Sequence, residues 1–134
     1  MIKLSIPVEP MGAVRMTGRG KFVKGNAQRY LSYKEYLQWT AKQKLDSSCL
    51  ISGPIAVEIR FIMPIPKSWS KKKQEEAIGD YHIKKPDTDN LVKGVFDALN
   101  KIAWNDDNQV AKVTAVKLYG ERPGIEISIS TLKE

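Results

Sequence analysis

Between Lys85 and Gln109 the sequence reads Lys-Pro-Asp-Thr-Asp-Asn-Leu-Val-Lys, then Asp97-Ala98-Leu99-Asn100, then Asn105-Asp106-Asp107-Asn108-Gln109. Carboxylates at this density, with Lys93 among them and no His or Cys, suit a hard cation held through oxygen, Mg²⁺ or Mn²⁺ rather than Zn²⁺. Those are the metals of phosphoryl chemistry. Pro86 biases Lys85 toward extended backbone, and on an extended chain Asp87 and Asp89, two apart, project to one side and can share a cation. The Asn-Asp turn can bring the chain back so that Asp106 or Asp107 stands beside that pair.

A helix must carry the first part of this set. Leu91, Val95, Ala98 and Ile102 recur at helical spacing beside Val92, Phe96 and Leu99, and Asp89, Lys93 and Asp97 share the opposite, polar stripe, which predicts a helix ending near Asn100 or Lys101. Each acid also has an ordinary explanation. Asp89 or Thr88 can cap the helix, Asp97 can pair with Lys93 or Lys101, and 106–108 can be a plain turn. A cap needs one carboxylate, however, so Asp87 in addition to Asp89, followed by an acidic turn, is not covered by these explanations together. An EF-hand loop starting at Asp87 fails, because Leu91, Val92 and Ala98 fall where a ligand, the glycine and the closing glutamate belong.

Read as Lys-Pro-Asp-x-Asp-Asn-Leu-x-Lys, Asp-Ala-Leu-Asn and Asp-Asp-x-Gln, this run closely resembles the RusA family of Holliday junction resolvases, and Pro66-Lys67-Ser68-Trp69-Ser70-Lys71-Lys72-Lys73 is also similar to family members. The resemblance implies that Asp87, Asp89 and Asp107 bind the divalent metal, that Lys93 contributes to catalysis, and that the protein is a homodimer. Asp106 is a possible supporting ligand.

The 134 residues, 42% hydrophobic and 28% charged, fit one soluble domain spanning residues 1–134. A net charge of +7, from 22 Lys and Arg against 15 Asp and Glu, favours an anionic partner, and nucleic acid fits better than membrane because no basic amphipathic helix with an aromatic face is present. No apolar run approaches the ~20 residues of a membrane span, and residues 1–7 are too short for a signal peptide, so a cytoplasmic, nucleoid-associated protein is expected. Cys49 and His82 are single and distant, which gives neither a disulfide nor a zinc set.

Along the chain the patterns predict a strand over 2–8 and a basic, Gly-rich loop over 12–28 carrying Arg15, Arg19, Lys21 and Lys24. This loop is read as an arm that neutralises phosphates, not a P-loop, since the spacing is wrong. A helix follows over 29–45, in which Tyr30, Tyr33, Tyr36 and Trp39 are read as core rather than as a base-stacking stripe. Residues 55–63 alternate as a strand with one wholly apolar face, and Ser70 caps a short helix over 71–78. Lys71, Lys72 and Lys73 sit at that helix's start, where the macrodipole disfavours cations and a phosphate would remove the mismatch. Strands over 109–119 and 125–132 are expected to form an antiparallel hairpin.

The whole is expected to be an α+β fold, a single-layer mixed or antiparallel sheet of about four strands packed with two main helices, RusA-like. The leading function is a Mg²⁺-dependent endodeoxyribonuclease that resolves four-way DNA junctions by paired nicks. Its DNA-binding residues are the basic arm, Lys71 to Lys73, and Lys85 and Asn90 beside the acidic pair. Two readings compete: a junction-binding module without turnover, and a metal nuclease acting on flaps or single strands.

Overall fold

The computed structural model describes residues 1–14, 25–45 and 50–132. In chain order the elements are β1 (Ile2–Ile6), α1 (Gly25–Lys44), β2 (Ile55–Pro64), α2 (Lys71–Ala77), α3 (Thr88–Leu99), a 3₁₀ turn at Asp107–Gln109, β3 (Val110–Gly120) and β4 (Gly124–Thr131). The α+β class and the four-stranded mixed sheet are as expected. No helix among the described residues is long and apolar enough to cross a membrane.

The alternation in β2 holds position by position: Ile55, Val57, Ile59, Phe61 and Met63 are buried, and Glu58 and Arg60 are exposed. Ile125, Ile127 and Ile129 of β4 and Leu4 and Ile6 of β1 continue the same face, and α1 and α3 cover it. Each such side chain contributes about 1.5–3 kcal/mol on burial. The opposite face is polar; there Arg60 and Glu126, paired across strands, form an ion pair of 3.3 Å that is half exposed. At that exposure it is worth no more than about 1 kcal/mol.

Three expectations are corrected. The strand order is β1-β4-β2-β3, with β3 parallel to β2 and β4 antiparallel to β2 and β1, so β3 and β4 are not a hairpin. β2, apolar along one whole face, takes the centre between them. The connection from Gly120 to Gly124 spans up to about 14 Å, enough to step over one strand at twice the ~4.8 Å spacing. Gly120 makes that close passage possible, since a Cβ there would collide with Ile62. Second, Tyr30 and Tyr33 are core, with Leu37 and Ala41, but Tyr36 and Trp39 are 37% and 60% exposed because they fall off that stripe. Third, β1 stops at Ile6 instead of residue 8, where Pro7 has no N–H to donate.

Candidate active site

The site grows from the bend that precedes α3. Residues 79–82 run along the outer edge of β3, where Gly79 N–H donates to Tyr119 O (2.9 Å), Tyr119 N–H to Asp80 O (3.0 Å) and His82 N–H to Lys117 O (3.0 Å). Lys117 then reaches from β3 to the bend itself: its Nζ donates to Lys84 O at 2.6 Å and to Pro86 O at 2.7 Å. The Lys85–Pro86 peptide is cis. One ammonium therefore holds the carbonyls on either side of Lys85, and the start of α3 is fixed to the sheet.

Asp87 occupies the N-cap position of α3, in place of the expected Asp89 or Thr88, yet its carboxylate makes no capping hydrogen bond. A capping Asp commonly contributes about 1 kcal/mol, which this helix forgoes. Asp89 lies in the first turn, where the macrodipole favours an acid. Because Asp89 is already helical, the alternation argument for the pair does not apply. The two acids instead line one open groove of about 690 Å³, together with Met11, Lys85, Pro86 and Asn90.

The far wall of this groove is held by Asn90. Its side-chain amide donates to Ala13 O at 3.1 Å, and Ala13 N–H donates to Asn90 O at 3.1 Å. Gly12 passes so close that a Cβ there would lie 2.6 Å from Asn90 Nδ2 and 3.1 Å from Pro86 Cβ. Asn90, expected among the DNA contacts, thus uses its amide within the fold. One turn after Asp89, Lys93 faces an adjoining groove with Tyr30, Lys34, Asn90 and Asp97. It has no carboxylate within 4.0 Å among the described residues, so the ion pair with Asp89 or Asp97 that would have explained it is not formed.

Asp107 stands at the other end of the helix. Its Oδ1 accepts from Trp104 Nε1 at 2.7 Å. Burial lifts its carboxyl above the ordinary range, the Trp104 hydrogen bond opposes that, and the charges of Asp97 and Asp106 reinforce it. Asp97 Oδ2 in turn accepts from Tyr30 OH at 3.0 Å, and burial first, with Asp97's charge second, pushes the Tyr30 phenol well above its usual pKa, so it stays a donor. Asp106 heads the 3₁₀ turn; its N–H donates to Gln109 Oε1 at 2.9 Å, while Gln109 Nε2 donates to Ile51 O and Gly53 O, both at 2.9 Å. Gln109 bolts the acidic turn to the segment that leads into β2.

The acids therefore fall into two pairs, Asp87 with Asp89 and Asp97 with Asp107, about 12 Å apart along α3 by the rise of the eight residues from Asp89 to Asp97. The structure does not gather Asp106 or Asp107 with the first pair: among the described residues no set of three or more Asp, Glu, His or Cys closes on a point that could hold an ion. The turn follows the C-terminal end of α3, and the helix's length separates it from Asp87. Lys71, Lys72, Lys73 and Lys85 are exposed, and Ser70 Oγ accepts from Lys73 N–H at 3.2 Å, the expected cap. Arg15, Arg19, Lys21, Lys24 and Cys49 lie outside the described residues.

With this geometry in hand, a family model described as Endodeoxyribonuclease RusA matches residues 7–130. The chain belongs to the RusA family. It is also 36% identical over 135 residues to the Uncharacterized protein YqaN of Bacillus subtilis (strain 168), covering 96% of this chain and 94% of that protein. RusA membership makes the chain an endodeoxyribonuclease. Within this RusA chain, sequence reasoning passed over Lys117, the Tyr30–Asp97 bond and the partners of Gln109. Asp97 carried a signal in its place eight residues after Asp89 on the polar stripe, and Gln109 in closing the Asp-Asp-x-Gln motif.

Proposed function

We propose that this protein resolves four-way DNA junctions by divalent-metal-dependent hydrolysis of two opposed phosphodiesters, acting as a C2 homodimer with one acidic site per protomer. The observation that carries the reading is the Asp87 carboxylate, left out of its capping bond beside Asp89 in an open groove, in a RusA-family chain of net charge +7. Mg²⁺ is commonly held by one or two carboxylates with waters and substrate phosphates, so this pair fits it without a closed cage.

Asp87 and Asp89 would hold the ion, which when bound supplies Lewis acidity toward the phosphodiester. Lys93, free of carboxylate partners among the described residues, faces the scissile phosphate and offsets the charge that builds on it. The family motif adds Asp107 as a further ligand, with Asp106 in support, a role that requires the acidic turn to close on the Asp87/Asp89 groove when the ion binds. The Trp104 N–H fixes one oxygen of Asp107 and leaves the other to a ligand. The basic residues 71–73, 85 and the arm over 15–24 hold duplex arms through phosphates, contacts that position without reading sequence. Two-fold symmetry in the protein matches the near two-fold symmetry of a junction.

The test is incubation with a labelled mobile four-way junction, a flap and a linear duplex, each with Mg²⁺ or Mn²⁺ and with chelator. Paired nicks on opposed junction strands, only with metal, are expected. Equal cutting of the flap, or no cutting with either metal, overturns the reading.

A further inference from the structure

Away from the acidic groove, one ring organises two cations that have no counter-ion among the described residues. The indole of Trp69 packs on Tyr119 of β3, ring centroids 5.5 Å apart, and Tyr119 packs on the buried His82 at 4.8 Å. Lys73 Nζ stands 4.1 Å from the centroid of that indole, and Lys84 Nζ, from a different segment, stands 5.4 Å from it. A ring face attracts each ammonium. The two ammoniums repel each other, however, and neither has a carboxylate within 4.0 Å among the described residues. An anion such as phosphate close to either ammonium would offset that repulsion.

The position of this pair suggests which anion. The backbone carbonyl of Lys84 is one of the two held by Lys117, so the brace that sets Asp87 also sets the base of Lys84. Lys84 and Asp87 are three residues apart, which keeps their Cα atoms within about 11 Å. A strand whose phosphate lies in the Asp87/Asp89 groove passes the Trp69 platform a few nucleotides away.

We propose that Trp69, Lys73 and Lys84 form a contact surface for the phosphate backbone of the duplex arm leading into the acidic groove. The proposal rests on the nuclease reading for the identity of the polyanion. Lys73 and Lys84 are the contacting groups, and Trp69 is the positioning residue that fixes both ammoniums before DNA arrives, reducing the ordering that binding requires. Ammonium groups on phosphates read no base, so the contribution of this surface is independent of sequence.

The experiment titrates a fluorescent four-way junction and a linear duplex in chelator, between about 50 and about 200 mM salt, with the parent protein, a Lys73→Gln/Lys84→Gln double variant, Trp69→Leu and Trp69→Phe. The double variant is expected to bind both DNAs at least about tenfold more weakly at low salt, with a slope of log K against log salt shallower by about 2, from ~0.9 per lost contact. Trp69→Leu keeps both charges, so it weakens binding several-fold at an unchanged slope, and Trp69→Phe restores most of the loss. Parent-like affinity and slope in the double variant, or parent-like binding by Trp69→Leu, overturns the proposal. A parent protein that binds with the steep slope but cuts no junction in Mg²⁺ removes the nuclease reading and leaves this surface standing.

Discussion

The two acidic pairs at the ends of α3 are built from the same residue type and held in opposite ways. Asp97 and Asp107 are each tied by a donor from a buried aromatic side chain, Tyr30 OH and Trp104 Nε1. Asp87 takes the one position where a carboxylate normally bonds to its own helix and does not do so, and neither it nor Asp89 has a side-chain hydrogen bond among the described residues. The rigidity at Asp87 lies in the backbone instead, where Lys117 grips the preceding carbonyls. A carboxylate whose oxygens are spent on neighbours is positioned but has less to give a cation. One whose backbone is clamped and whose oxygens are free is positioned and available.

The sharpest break of this contrast is charge removal at constant shape. Asp87→Asn and Asp89→Asn are expected to lower junction cleavage by about 10²-fold or more, the scale of losing a preorganised electrostatic group, while binding in chelator holds or tightens. Asp107→Asn should match that loss where the acidic turn joins the ion, as the proposed function requires, and a variant that stays within about tenfold of the parent removes Asp107 from the ligand set. Asp97→Asn keeps an oxygen for Tyr30 and should stay within about tenfold of the parent. Nicking and gel-shift assays on the same preparations decide it, and an Asp87→Asn protein that cuts like the parent ends the metal-site reading.

Lys93→Ala comes next in size. A severe drop in turnover with little change in Tm is expected, because an exposed helical charge contributes only about 0.3–0.5 kcal/mol even when paired. Near-parental cleavage would make Lys93 a solvated surface residue.

Lys117→Met tests the clamp. It leaves the partly buried Pro86 carbonyl and the exposed Lys84 carbonyl without their charged donor, a loss of about 1–3 kcal/mol by denaturant melts. Turnover should fall more than KM rises, since the acids lose their placement and the DNA-contacting lysines keep their charges, and Lys117→Arg should recover part of both. A turnover unchanged by Lys117→Met would mean that the start of α3 holds without the sheet.

The smallest effect is in pH. Burial, with the positive charge of Lys117 next, lowers the pKa of His82 below 6.5. A depressed folded-state value means that this contribution to stability is present above the unfolded pKa and is lost as pH falls through the folded one. Tm should therefore decline from about pH 7 toward about pH 5, and His82→Gln should flatten that decline. An identical pH profile in the variant would discard the effect.

Much of this was readable from residues because burial writes a period into the chain. The alternation of β2 and the apolar stripe of Leu91, Val95 and Ala98 each have one physical solution, and both elements appear as expected. The β3–β4 hairpin was misread because the turn signal at 121–123 is the same whether the next strand lands beside β3 or one strand further on. The exposed Tyr36 and Trp39 went wrong because an aromatic residue was credited with burial that its angular position on α1 denies it. In the candidate site the acids and Lys93 were legible as residue types at a spacing. The clamp was not, since Lys117 acts on main-chain carbonyls, and those leave no mark in a sequence.

The parallel pairing of β2 with β3 has a consequence in time. Everything proposed to do chemistry, from Asp87 to Asp107, lies in the crossover between those two strands, and Lys117 is on the second of them. Pairing of this kind closes a long loop before its contacts repay the entropy, so it forms late. Asp87, Asp89 and Lys93 precede in the chain the strand that clamps them. The groups proposed for the chemistry thus wait for their geometry on a pairing that forms late in folding.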